Sequence, residues 1–206
     1  MVAGPGGGWV IAYLVLLALI AAERVSELVR SRRNAAWAVA HGGVEVGQRH
    51  FRVMAALHAL FLPACAAEVL FLDRPFVPAL GLSMLAVAIY AQTLRARAIA
   101  ALGPRWNVRT IVVPGLPPVE TGPYRFVRHP NYVAVVLEGF AIPLVHTAWW
   151  TAIVFSVLNA AVLMVRIRCE EALLASQCDT EGRLDALPRF VPRFGTHTRA
   201  SSRGGR

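Results

Sequence analysis

Charge is scarce in this chain. Charged residues fill 16% of its 206 positions against 56% apolar letters, and the mean hydropathy is +0.52, which excludes an ordinary soluble domain of this length. Cysteine is nearly missing: Cys65, Cys169 and Cys178 show no metal-ligand spacing, so no metal site is expected and all three read as reduced thiols. The opening Met-Val-Ala-Gly-Pro-Gly-Gly-Gly lacks arginine and lysine and is followed by further apolar runs, so the segment reads as a loose tail before a first span and not as a cleaved signal. His41-Gly-Gly-Val-Glu-Val-Gly47 has neither Rossmann nor P-loop spacing and no suitable helix start is expected after it, which excludes a phosphate-cradling loop. Lysine is absent altogether.

Long uncharged runs are what the chain does have. Residues 2–22 carry no charge, 53–72 carry only Glu68, and 75–94 carry none. A helix needs about 20 apolar residues to cross the hydrocarbon core, so these are three spans. Residues 139–165 are again uncharged but broken by Pro143 and by His146-Thr147, which predicts a hairpin of two helices over 131–145 and 148–166. The expected fold is all-α: a polytopic membrane protein of about five transmembrane helices, residues 1–194 forming one domain and 195–206 a disordered tail.

The 21 basic residues, all arginine, give a net charge of +9. Apart from Arg74 they lie after span 1, after span 3, or from the end of span 5 onward. Cytoplasmic loops are enriched in arginine and lysine, so the N-terminus is expected outside and the C-terminus inside. No zinc-finger spacing or ribonucleoprotein-type aromatic motif accompanies the arginines, so the expected neighbours are membrane lipids with anionic headgroups and not nucleic acid.

Four polar segments fall on the expected cytoplasmic side. Glu23, Glu27 and Arg30 share a helical face, as an ion-paired helix end or as a wall of an active site. Residues 34–48 read as a flexible or re-entrant loop. In the third segment, residues 105–132, Pro123 and Pro130 prevent a continuous helix and leave backbone groups free to bind something polar. Pro130 suits the first turn of span 4, whose positive end would face an anionic group beside Arg128 and His129. In the fourth segment, Arg166 and Glu170 stand four apart and can pair along the helix, and residues 172–187 are weakly amphipathic. Within span 2, His58 and Glu68 lie about 15 Å apart along a helix. Each is either functional or bonded to a neighbouring helix, with Glu68 expected near the outer surface away from other charges.

Gly122-Pro-Tyr-Arg-Phe-Val-Arg-His-Pro-Asn-Tyr132, followed by Arg166-Ile-x-x-Glu170-Glu171-x-x-Leu174, resembles the signature of the isoprenylcysteine carboxyl methyltransferase family of integral-membrane enzymes. The first motif alone also occurs, more loosely, in membrane phospholipid methyltransferases and sterol reductases. Residues 23–37, Glu-Arg-Val-Ser-Glu-Leu-Val-Arg-Ser-Arg-Arg-Asn-Ala-Ala-Trp, with His41-Gly-Gly-Val-Glu45, are similar to a bacterial branch associated with O-methylation of alkylpyrones and alkylresorcinols. The resemblance covers most of residues 23–194.

It implies S-adenosylmethionine as methyl donor in a cytoplasmic pocket, with Gly122, Tyr124, Arg128, His129, Pro130 and Tyr132 assigned to the cofactor. Arg166 and Glu171 match the basic and acidic positions of the second motif, near cofactor and acceptor. A carboxylate acceptor needs no base, whereas a phenol or enol must lose a proton, to His129, Glu138 or Glu171. Glu138, where prenylcysteine enzymes tend to be apolar, favours a phenolic acceptor. The expected activity is therefore O-methylation of a lipophilic phenolic or pyrone polyketide lipid supplied by a polyketide synthase. The alternatives are isoprenylcysteine carboxyl methylation, phospholipid methylation, an NADPH-dependent reductase, and a membrane scaffold or transporter. The C-terminal Ser-Ser-Arg-Gly-Gly-Arg carries no prenylation motif, so the chain is not its own substrate.

Overall fold

A computed structural model describes residues 7–177 and 187–191. Among the described residues five helices and one short strand pair follow in order: α1 (Gly7–Ala40), β1 (Val44–Val46), α2 (Gln48–Phe71), α3 (Pro78–Leu102), β2 (Thr110–Val112), α4 (Pro130–Leu144) and α5 (Trp149–Gln177). Two single 3-10 turns, Gly103–Arg105 and Gly122–Arg125, flank β2. Among the described residues four helical stretches are long and apolar enough to cross a membrane: Gly7–Ala40, His50–Phe71, Pro78–Arg105 and Trp149–Gln177. Helix α4, with 15 residues, is shorter. A bilayer core offers the backbone no partners, which is why uncharged runs of this length resolve into helices that bond internally. The protein is an all-α polytopic membrane protein.

The expected hairpin is present with α4 and α5, and its corner has a local cause. Pro143 stands in the last turn of α4, Thr147 adopts φ 53°, and the Thr147 hydroxyl donates to the Pro75 carbonyl at 2.6 Å. At the same end Glu68 is not apart from other charges. Its carboxylate pairs with Arg74 at 2.9 Å and accepts from the Trp150 and Thr151 amides at 3.1 and 2.7 Å. It thus caps the first turn of α5 from a neighbouring helix, where the helix dipole favours a negative charge.

Three expectations for the polar segments are corrected. Residues 34–40 continue α1 where a loop over 34–48 was expected, because the Ala-Ala-Trp-Ala-Val-Ala run over 35–40 is apolar and lacks a breaker. The helix stops at Gly42, φ 74°, with the Gly43 amide bonded back to the Ala38 carbonyl at 2.8 Å. The remaining residues form β1, antiparallel to β2 with Glu45 opposite Ile111, and α2 starts directly after Gly47. Arg30 is exposed and makes no ion pair with Glu23 or Glu27, since buried Arg95 and Arg24 take Glu27 instead. The loose N-terminal tail, Cys178, most of the amphipathic stretch after Gln177 and the expected 195–206 tail lie outside the described residues.

The apolar core joins Tyr13, Leu17 and Ile20 of α1 to Phe61, Cys65 and Val69 of α2, Ala88 of α3, Ala141 and Ile142 of α4, and Phe155 of α5. Close approach depends on small residues: a Cβ on Gly139 would stand 2.7 Å from the Phe155 ring. His58 bonds its own helix, Nδ1 to the Met54 carbonyl at 2.9 Å, and meets Phe155 edge-on. Large apolar side chains such as Leu19, Phe71, Ile89 and Val157 face outward, as a lipid-bathed surface requires.

Candidate functional site

Proline dictates how the site begins. Pro123 opens the 3-10 turn Gly122–Arg125, and Pro130 stands at the first position of α4, so residues 126–129 form an irregular link bent over the end of that helix. The link is tied down by the segment 187–191: the Arg128 amide donates to the Pro188 carbonyl at 3.0 Å and the His129 amide to the Arg189 carbonyl at 3.2 Å. Glu171 of α5 fastens the same link by its side chain. It accepts from Arg189 Nη2 at 2.6 Å, meets His129 Nε2 at 3.0 Å and stands 3.5 Å from Arg128 Nη1. Both its oxygens are engaged in holding three elements together.

One residue earlier on α5, Glu170 points elsewhere. Its carboxylate takes the hydroxyl of Tyr132, and that same hydroxyl accepts from Arg166 Nε at 2.7 Å. Arg166, Tyr132 and Glu170 therefore form one chain. Arg166 and Tyr132 are 5% and 7% exposed, so the chain lies in the interior. The four-residue spacing of Arg166 and Glu170 puts both on one face of α5, and Tyr132 bridges them from the first turn of α4.

Cavities lie on either side of this chain. Toward the polar end, a cavity of about 70 Å³ is lined by Tyr124, His129, Asn131, Tyr132, Arg166 and Glu170. It adjoins a second of about 140 Å³, bounded by Tyr124, Arg128, Glu170, Leu174 and the Pro117-Pro118 link, and the two share the β2 residues Ile111 and Val112. Burial, then the negative charge of Glu170, pushes the Tyr124 phenol well above its ordinary value, so it stays neutral. On the other side, among α1, α2, α3, α4 and α5, a cavity of about 270 Å³ runs past Phe51, Met54, Ala59, Val135 and Leu163. Tyr132, Arg166, Asn107, Asn131 and Trp106 line both the polar and the apolar side.

Glu138 lies in the apolar cavity, within a charge cluster that the sequence did not reveal. Arg24 Nη2 stands 3.2 Å from Glu138 and its Nη1 2.7 Å from Glu27, while Arg95 holds Glu27 by two hydrogen bonds at 2.8 and 2.7 Å and approaches Glu138 at 3.9 Å. Gln92 joins Arg24 at 2.6 Å and also meets Glu23. The only sequence signal was that Arg24 and Arg95 close the uncharged stretches of α1 and α3, where an unpaired charge is expensive.

The structure brings Tyr124, Arg128, His129, Tyr132 and Arg166 to the cavities and seats Pro130 beneath them. Gly122 stands apart. With φ 57° it turns the chain, and a Cβ there would meet Ala101 at 3.1 Å on the far side of the link. Glu171 supports the link from behind and does not line the cavities. Asn107, Asn131 and Glu170 join the set. Ser31 places Asn107, its hydroxyl donating to Oδ1 at 3.2 Å and accepting the Val108 amide at 3.0 Å.

Comparison with known proteins bears on the same segments. The model of the Isoprenylcysteine carboxyl methyltransferase (ICMT) family matches residues 84–176, a range holding both the Gly122-to-Tyr132 segment and the Arg166-to-Glu171 segment. The chain is 37% identical over 163 residues to "Uncharacterized protein YpbQ" of Bacillus subtilis, covering 79% of this chain and 96% of that protein. It is 26% identical over 162 residues to an "Uncharacterized protein" of Haemophilus influenzae, covering 78% and 94%. With its apolar helices and its matched motifs, this chain belongs to the isoprenylcysteine carboxyl methyltransferase family and is an integral membrane protein of that methyltransferase family.

Proposed function

We propose that the chain is an S-adenosylmethionine-dependent O-methyltransferase acting in the membrane on a lipophilic phenolic or pyrone polyketide lipid. The observation that carries this reading is the double position of Tyr132 and Arg166, which line both the 70 Å³ cavity at the polar end and the apolar one. A polar donor and a lipid-tailed acceptor entering from opposite sides would meet there. Residues 1–194 act as one domain on this proposal. The N-terminus lies outside a bacterial cell membrane, the site faces the cytoplasm, and a polyketide synthase supplies the acceptor.

The residues present fit such a donor. Asn107 Nδ2 and Asn131 Oδ1 are buried atoms without a hydrogen-bond partner, one a donor and one an acceptor, on residues that line the cavities. Buried polar atoms left in this way are costly unless a ligand completes them. Glu170 suits a cationic amino group and Arg128 a carboxylate, and both border the adjoining 140 Å³ cavity with Tyr124. When bound, S-adenosylmethionine supplies an electrophilic methyl group on a positively charged sulfur. The chain's own residues align and desolvate: Arg166 offers a guanidinium to the acceptor oxygen, Tyr132 and Glu170 fix its orientation, and the apolar wall excludes water. Glu27 is bound by two arginines at 2.8 Å or less, leaving Glu138 as the less committed carboxylate of the cavity and the group to take a phenolic proton.

One observation favours a second reading. Arg24, Arg95 and Arg166 all line the apolar cavity, and guanidinium groups suit the carboxylate of an isoprenylcysteine, which needs no base. Both readings require the same donor. Calorimetric titration of the purified protein with S-adenosylhomocysteine and, separately, with NADPH tests it. Binding of the former alone is the expected result. Binding of NADPH alone would assign a reductase, and binding of neither a scaffold.

A further inference from the structure

Behind the Gly122–Arg125 turn, away from the cavities above, lies an open groove between this turn and α3. It is separate from the donor and acceptor cavities, with which it shares no lining residue. Its volume is about 720 Å³. Tyr90, Leu94 and Phe126 make it apolar, while Arg97 and Arg125 make it cationic, and no acidic side chain lines it. Tyr90 and Phe126 are 61% and 46% exposed, so large apolar surface is presented here without a covering element. Arg125 lies over the Phe126 ring at 4.3 Å, and among the described residues neither guanidinium has an ion-pair or hydrogen-bond partner.

The order of these groups along α3 matters. Tyr90 and Leu94 belong to the uncharged stretch of that helix, and Arg97 follows one turn after Leu94, where the first charged residues begin. Apolar surface toward the bilayer and guanidinium groups at its edge match the two halves of an anionic phospholipid. Arginine binds phosphate bidentately, and near an anionic leaflet each basic residue adds attraction. We propose that this groove is a binding site for one anionic glycerophospholipid, its phosphate held by Arg97 and Arg125 and an acyl chain lying along Tyr90 and Leu94. The occupant also braces the turn whose opposite side carries Tyr124. The proposal does not depend on the identity of the methyl acceptor.

Native mass spectrometry of the detergent-purified protein titrated with phosphatidylglycerol or phosphatidylcholine of equal chain length tests it. The wild type is expected to retain one phosphatidylglycerol at least tenfold more strongly than phosphatidylcholine. The R97Q/R125Q double variant should lose that preference, while R32Q/R33Q, which removes the same charge from the exposed end of α1, should keep it. Thermal unfolding of both variants, with helicity followed by circular dichroism, shows that each is folded. Equal retention of the two lipids by the wild type overturns the proposal. So does equal loss in both double variants, which would mean bulk attraction only. Displacement of phosphatidylglycerol by millimolar inorganic phosphate also overturns it by assigning a free-anion site, and a concentration-dependent dimer that masks the groove would assign the surface to a second copy of the chain.

Discussion

Arg166 Nε donates to the Tyr132 hydroxyl at 2.7 Å, joining α5 to the first turn of α4 across 34 residues of sequence. The hydroxyl passes its own proton toward Glu170, so the orientation of the guanidinium depends on groups from two helices. Tyr132→Phe keeps the ring and removes the link. Methyl transfer is expected to fall by about 10- to 100-fold in kcat, the cost of a misaligned orienting group, with a smaller change in S-adenosylhomocysteine affinity. Arg166→Lys should lose at least as much, because an ammonium lacks the planar fork. Initial rates with labelled donor, set beside binding isotherms, check both.

Glu138→Gln preserves volume and the contact with Arg24 while removing the acid. Turnover of phenolic acceptors is expected to drop by about 100-fold and that of a carboxylate acceptor to change little. Full turnover of every acceptor by the variant would remove Glu138 from the mechanism.

Glu171→Gln weakens the grip on Arg189, Arg128 and His129 together. The expected outcome is faster proteolytic cleavage near residues 187–191 and about tenfold weaker S-adenosylhomocysteine binding, since charge-assisted hydrogen bonds of this kind contribute roughly 1.5–3 kcal/mol. Limited proteolysis followed by mass spectrometry measures the first, and titration the second. An unchanged cleavage pattern would show that the link is held without Glu171.

Glu68→Gln leaves the site alone and strikes the opposite end of the molecule. It weakens the cap on α5 and the pair with Arg74, and should lower the thermal unfolding midpoint by a few degrees, equivalent to about 1–2 kcal/mol. Methyl transfer per folded molecule should stay constant.

The helices were legible because charge-free runs of bilayer length admit little else, and the corner at His146-Thr147 because a proline and a polar pair interrupt one such run. The strand pair was not legible: three residues on each side carry no periodicity to recognise. Spacing alone paired Arg166 with Glu170, and in the fold they stand on one face with Tyr132 between them. Glu171, the position favoured by resemblance, is rotated one residue around the helix toward His129 and Arg189. The Arg24, Glu27, Arg95 and Glu138 cluster was hidden because Arg95 and Glu27 lie 68 residues apart and Arg24 and Glu138 lie 114 apart, and no local pattern reports such a meeting. Arg30 misled for the same reason, since a shared helical face says nothing about a better partner arriving from α3.

Membranes containing the wild-type protein, incubated with methyl-labelled S-adenosylmethionine and offered an alkylresorcinol and a farnesyl-cysteine derivative in parallel, decide what the site does. Label is expected in the alkylresorcinol as an alkali-stable methyl ether. Label found only in the farnesyl-cysteine derivative, as an alkali-labile ester, would contradict the choice of acceptor, and failure to label any lipid-soluble product would contradict methyl transfer itself.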